Sequence, residues 1–219
     1  MQLVIFDIDH TLVLGPSTEQ RFFRQLVQER TLGPRQWATY LLGLLLWTPV
    51  FGRDVLQKNK AYLTGLDTDE ISRLAIAWAE TALSSAWYEP AVDRLRQHQA
   101  AGDHVVLMSG TPSFIAEAVG ARLKVAHTIG STCGARAGRF TFQALQRHPC
   151  GAEKLRLARK LAAARGLRPE QIVAYGDSVQ DAALLSWVGT PIAVLPDYRL
   201  AKMAKANGWE MLGQRLLAP

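Results

Sequence analysis

Asp7 and Asp9 sit one residue apart, directly behind the apolar run Leu3-Val4-Ile5-Phe6. A carboxylate at the end of a buried strand can act as a nucleophile, and a second one beside it as a general acid and then a base. Alone, the string Asp7-Ile8-Asp9-His10-Thr11 is weak, because such a pattern is easily met by chance. Three further groups follow in chain order: Ser109-Gly110-Thr111, Lys154, and Gly176-Asp177-Ser178 with Asp181. A hydroxyl, a flexible glycine and free N–H groups at a helix start make an anion cradle. A point cation at Lys154 would neutralise charge on a nucleophile and a transferring group. Two more carboxylates add hard oxygen donors of the kind magnesium prefers. These are the parts of a phosphoryl-transfer site, in a workable order.

The elements that must position them alternate. Apolar runs at 3–6, 105–108, 172–175 and 192–195 read as strands buried on both faces, with 125–129 a weaker fifth. Helical patterns at 91–99, 113–123, 152–164, 181–187 and 200–206 lie between them, several with proline before and glycine after. Strand–helix alternation argues for an α/β fold, a parallel sheet with helices on both faces. In such a sheet, ligands bind beyond the carboxyl ends of the strands. Asp7, Asp9, Ser109 and Asp177 therefore meet at one rim if their strands are neighbours. Residues 15–88 break the alternation: 19–29, 34–47, 53–63 and 68–83 all look helical, an insertion between the first strand and the rest. Arg139-Phe140-Thr141-Phe142 alternates polar and aromatic, the pattern of a short antiparallel excursion.

Bulk properties narrow the field. The chain has 219 residues, 48% hydrophobic and 20% charged, ordinary for a globular protein with a sizeable core. The net charge of +6 suits an anionic substrate, nucleic acid or an acidic membrane surface. The cationic stretch 147–168 lacks interleaved aromatics and any known nucleic-acid motif, so no nucleic-acid partner is expected. Cys133 and Cys150 form no C-x-x-C, which leaves zinc and redox readings without support and a reducing cytoplasm as the expected location. No signal peptide is visible, and the longest apolar stretch, 40–51, is too short for a spanning helix and is interrupted by Pro49. A buried or interfacial helix fits it better, and peripheral membrane contact stays open. Trp37 and Trp47 flank this run.

The four motifs, ordered along nearly the whole chain, resemble the haloacid dehalogenase-like (HAD) hydrolase superfamily. The match is closest to its phosphoserine phosphatase-like branch (subfamily IB), whose members carry a helical cap just after the first motif. The resemblance implies a Rossmann-like core of residues 1–14 and 89–219 with a C1-type helical cap at 15–88. It implies that Asp7 forms an aspartyl-phosphate, and that Asp9 protonates the leaving oxygen and then activates water. Ser109 and Gly110, with Lys154, would bind the phosphoryl group. Mg2+ would be held by side-chain oxygens of Asp7 and Asp177 and the backbone carbonyl of Asp9. Asp181, four residues after Asp177, would be a further ligand, an orienter of metal waters, or only a first-turn acid favoured by the helix dipole. Thr111 would cap the helix that follows Ser109. The acid role needs Asp9 protonated near neutral pH, with Asp7 and Asp177 pushing it up, while Asp7 is expected ionised.

The branch points to phosphomonoester hydrolysis of a small metabolite, phosphoserine- or histidinol-phosphate-like. Phosphoserine itself fits poorly. The branch's cap glutamate aligns on Pro16, with Glu19 three residues later, and its cap arginine aligns near Asn59, leaving Arg53 as a substitute. The apolar 37–51 stretch keeps a lipid phosphate (lysophosphatidate- or phosphatidylglycerophosphate-like) as the alternative, against ordinary cap packing. A non-catalytic binding protein of the same fold is the third reading.

Overall fold

A computed structural model describes residues 1–214. The sheet is built on β1 (Leu3–Phe6), whose four side chains are fully buried. Leu3 and Ile5 join the apolar cluster on one face, Val4 and Phe6 the cluster on the other, the period-2 consequence of the pleat. The remaining sheet strands are β2 (His104–Pro112), β3 (His127–Ser131), β6 (Ile172–Gly176), β7 (Thr190–Val194) and β8 (Glu210–Leu212). All six are parallel, in the order β3-β2-β1-β6-β7-β8. Phe6 pairs in register with Leu107 on one side and Tyr175 on the other, so the residues just beyond this level on the three strands lie side by side. β4 (Ala135–Arg136) and β5 (Arg139–Phe140) form the antiparallel excursion.

Between β1 and β2 come α1 (Thr18–Gln28), α2 (Pro34–Phe51), α3 (Val55–Lys58), α4 (Thr68–Ala82) and α5 (Glu89–Ala100). Ser17 caps α1 by accepting from Gln20 N, and Asp67 caps α4 by accepting from Asp69 N and Glu70 N. Phe22 of α1 packs edge-on against Trp78 of α4 and against Phe114. α6 (Ser113–Leu123), which carries Phe114, lies on the same face of the sheet. The opposite face is covered by α7 (Ala152–Ala163), α8 (Ala182–Leu185) and α9 (Tyr198–Asn207).

Several boundaries differ from the sequence reading. The helix expected at 34–47 runs on to Phe51 with Pro49 inside it. Proline forfeits the bond to the carbonyl four residues back, here Leu45, and that turn is exposed, so water can take its place. The helix expected at 53–63 is three short pieces. Asn59 is extended (ψ 102°) and its Oδ1 accepts from Ala61 N, a local turn that competes with the helix. The helix expected at 181–187 shrinks to α8 after a 3-10 turn at Val179–Asp181. β2 continues through Ser109 to Pro112, with a register irregularity after Met108 that re-pairs Pro112 with Ser131. Thr111 does not cap α6; the capping position is Pro112, with no side-chain bond. β8 was not expected at all.

Candidate active site

Asp7 and Asp177 follow directly on β1 and β6, and Ser109 stands where β2 leaves its regular register after Met108; all three are buried. The neighbour condition on which the sequence reading depended is met, because β2 and β6 flank β1. The opposite helix α7 sends Lys154 into the same rim. Gly151, in a left-handed conformation (φ 57°), starts that helix. The Lys154 Nζ lies 2.8 Å from Asp7 Oδ1 and 2.6 Å from Asp181 Oδ1. Asp181 also accepts from Ser178 N and Oγ, each at 3.4 Å. A buried ion pair, beyond a helix-dipole preference, thus holds Asp181. Gly176 makes room for it, since a Cβ there would stand 2.6 Å from the Asp181 carboxyl carbon.

Carboxylate oxygens of Asp7, Asp177 and Asp181 all lie within 4.8 Å of one another. Three buried acids around one ammonium leave surplus negative charge, and the donors are oxygen only. These residues fit a hard divalent cation. Burial pushes the Asp7 carboxyl up to about 7, with Lys154 opposing and Asp181 reinforcing the rise. Asp7 is therefore less readily ionised than its type suggests, and a cation among these oxygens would offset that. Burial alone would lower the Lys154 pKa, but Asp181 and Asp7 outweigh it and hold the ammonium above the usual lysine value.

Asp9 is raised, as the acid role requires, but the cause differs from expectation. Burial dominates, ahead of the neighbouring acids, and a bond from Thr18 N to Asp9 Oδ1 at 2.6 Å pulls the other way. Thr18 also meets Thr111 through their hydroxyls at 3.0 Å, so the start of α1 is tied to both the first and second motifs. His10 takes a left-handed backbone (φ 62°) that turns the chain back, its N donating to Val13 O, and it borders the cavity.

That cavity, about 770 Å³, opens above the strand ends. Its floor holds Asp7, Asp9, Ser109, Gly110, Lys154, Asp177 and Asp181, so every core residue expected at the site is brought together. The helical segment supplies the other wall. Glu19 is there, accepting from the buried Lys60 and from Tyr62 Oη at 2.9 Å. Asn59 also lines the cavity, but its amide is committed to backbone, Nδ2 donating to Tyr40 O at 2.9 Å. Arg53 is exposed and not on the lining, so it does not replace the aligned arginine. Lys60 and Tyr62 were missed. Lys60 is the residue next to Asn59, so one residue of shift would have found it; nothing in the sequence marks Tyr62.

His148 was also missed. Its Nδ1 lies 2.8 Å from Ser131 Oγ, which donates to Gly110 O at 2.5 Å. Since the hydroxyl has one proton and gives it to Gly110, Nδ1 carries the proton of the second bond. Burial, reinforced by Lys60 and Lys58, pushes His148 down to about 4. The neutral ring packs on Gly110, where a Cβ would meet its Cε1 at 2.9 Å. Gly110 is therefore required by space at the loop that carries Ser109.

A family model for haloacid dehalogenase-like hydrolases matches residues 4–186. The chain belongs to that superfamily. A phosphoserine phosphatase of Mycobacterium tuberculosis is 29% identical, covering 96% of this chain and 70% of its own length. A histidinol-phosphatase of Neisseria meningitidis is 32% identical over 54% of this chain and 55% of its own. A solved protein of unknown function from Bordetella pertussis superposes with a TM-score of 0.80 at 25% identity, covering 96% and 97% of the two chains. Within the superfamily this HAD member lies in the phosphoserine phosphatase-like branch, and it is an enzyme of the phosphatase type.

Proposed function

We propose that this HAD phosphatase is a magnesium-dependent phosphomonoester hydrolase of a small phosphorylated metabolite, phosphoserine- or histidinol-phosphate-like, working in a cytoplasmic setting. The observation that supports it is Asp7 at the central strand end, 2.8 Å from Lys154, with Ser109 and Asp177 on the adjoining ends. An Asp7 oxygen attacks phosphorus and the bond to the leaving oxygen breaks, giving an aspartyl-phosphate. Asp9 hands its proton to the departing alkoxide. It then takes one from the water that attacks the aspartyl-phosphate, which frees inorganic phosphate and regenerates Asp7. Ser109, the Gly110 backbone and Lys154 hold the phosphoryl oxygens. Asp7, Asp177, the Asp9 carbonyl and Asp181, directly or through water, would hold Mg2+, which when bound neutralises the phosphoryl charge.

Residues 15–88 act as the cap over residues 1–14 and 89–219. Their polar cavity wall, Glu19 and Tyr62 with Lys60 buried behind Glu19, suits a small polar leaving group. A lipid phosphate is the second reading, favoured by the exposed apolar residues of α2 beside the cavity.

The test is phosphate release from phosphoserine, histidinol phosphate, sugar phosphates, lysophosphatidate and p-nitrophenyl phosphate, with and without Mg2+. Mg2+-dependent turnover that disappears in Asp7→Asn is the expected result. The preferred substrate decides between metabolite and lipid, and no release from any of them would favour a binding protein that kept the fold.

A further inference from the structure

A helix apolar all round belongs in a core or a membrane. α2 is apolar through most of its length, yet Gly43 is its sole buried residue. One narrow stripe fastens it to the protein. Gln36 Nε2 donates to Thr64 O at 3.1 Å, Tyr40 packs near Phe23 and Tyr62, and Trp47 stacks on Phe142. At Gly43 the helix comes so close that a Cβ would stand 2.8 Å from Asn59 Oδ1. The residues turned away from that stripe are Leu41, Leu42, Leu45 and Leu46, exposed by 63%, 44%, 71% and 51%. Val50 and Leu56 extend the ridge, and Leu56 also borders the cavity. Contiguous exposed apolar surface of this kind marks an interaction site.

Charge decides what covers it. From Arg30 to Arg53 the chain has no acidic residue, and Arg35 in the first turn and Arg53 just past the last are exposed at the two ends of the helix. The next acid, Asp54, already lies 3.4 Å from Lys58. A second copy related by a two-fold axis would set Arg35 against Arg53 if the helices ran antiparallel, and each arginine against itself if they ran parallel. Both arrangements place like charges together. An anionic bilayer surface satisfies both features, taking the leucines into its acyl boundary and the arginines among its headgroups. Spanning is a different matter: among the described residues no helix is long and apolar enough to cross a membrane. We infer that α2 is an interfacial anchor, lying in the plane of an anionic lipid surface with the cavity mouth at Leu56 beside the headgroups.

This inference does not depend on the catalytic reading, and its readout is binding, not turnover. Flotation with vesicles of phosphatidylcholine alone, and of phosphatidylcholine mixed equally with phosphatidylglycerol, tests it on the full chain. Wild type should float with the mixed vesicles and less with the neutral ones. L41Q/L45Q should bind the mixed vesicles at least about tenfold more weakly, through lost apolar burial. R35Q/R53Q should lose the preference for anionic lipid. Both variants should keep the wild-type circular dichroism spectrum and p-nitrophenyl phosphate turnover. Three outcomes would overturn the inference: no flotation of wild type, undiminished flotation of L41Q/L45Q, or a wild-type dimer in sedimentation that L41Q/L45Q dissolves and vesicles do not displace.

Discussion

The pair of Glu19, on the cavity wall, and the buried Lys60 behind it offers a quantitative test of the electrostatics. The Lys60 side chain is 3% exposed and the Glu19 side chain 21%. Removing one partner of a fully buried ion pair costs ~3–5 kcal/mol, because the other charge is left without compensation. In Glu19→Gln the stranded group is the well-buried ammonium, though the amide still accepts from Tyr62. With partial access to cavity water the expected loss is ~2–3 kcal/mol. Lys60→Met strands a carboxylate that water can reach, and should lose ~1–2 kcal/mol. The double variant removes both charges and keeps an apolar stem, so its loss should stay within ~1 kcal/mol. The cycle thus predicts a coupling of about 2–5 kcal/mol. Equilibrium urea unfolding followed by circular dichroism reads it out. With a slope of about 2–3 kcal/mol/M, Glu19→Gln should shift the midpoint by about 1 M. The slope itself should not change. Losses that simply add across the double variant would refute the argument, because they would mean the two charges do not compensate one another in the fold. Glu19 lines the cavity and Lys60 holds its carboxylate from behind, so the variants should also change KM more than kcat for the best substrate.

The other predictions concern the floor. Lys154→Met strands two buried carboxylates, so it should lose ~3–5 kcal/mol in urea unfolding. Its kcat for p-nitrophenyl phosphate should fall by ~10²–10³; a change within about threefold would sink the assigned role. His148, held down to about 4 in the folded chain, has an ordinary value near 6.5 when unfolded. Between those values the unfolded chain binds the extra proton, so the neutral ring's contribution is present above about 6.5 and is lost as pH falls toward 4. After discounting for partial exposure, the advantage of wild type over His148→Gln should shrink by about 2 kcal/mol between pH 7.5 and 4.5. Parallel stability–pH curves for the two proteins would contradict this.

The cavity floor was legible in the sequence because most of its residues follow a local signal. Asp7, Ser109 and Asp177 stand directly behind apolar runs, and the pleat and parallel topology then carry them to one edge. Lys154 was set apart from its cationic neighbours Arg147, Arg156, Arg159, Lys160 and Arg165 by the spacing that resembles the family's, more than by any local physical signal. The wall was not legible. Lys60 and Tyr62 act through contacts with Glu19 made across some forty residues of chain, and no spacing announces such a contact. Failures in the elements have similar local causes. Pro49 suggested a stop that an exposed last turn did not enforce, and Asn59 broke a helical pattern through one side-chain bond to Ala61 N. β8 is three residues long at the sheet edge and only half-buried, too little for an apolar run to declare. The exposure of α2 was the sharpest departure, because an apolar stretch reads as core until its surroundings are known.

The β4–β5 hairpin has a consequence for how such an enzyme diverges. Gly65 N donates to Phe140 O at 2.8 Å, Phe140 N to Leu66 O at 3.0 Å, and Thr68 N to Gly138 O at 2.9 Å. The helical segment is thereby stitched to the sheet-bearing half by main-chain bonds, and such bonds exist for any residue except proline as the donor. Mutation can therefore rewrite the helical wall of the cavity without loosening the seam that holds it over the floor. The lining of the cavity can drift in side chains alone, while the placement of the floor residues is inherited intact.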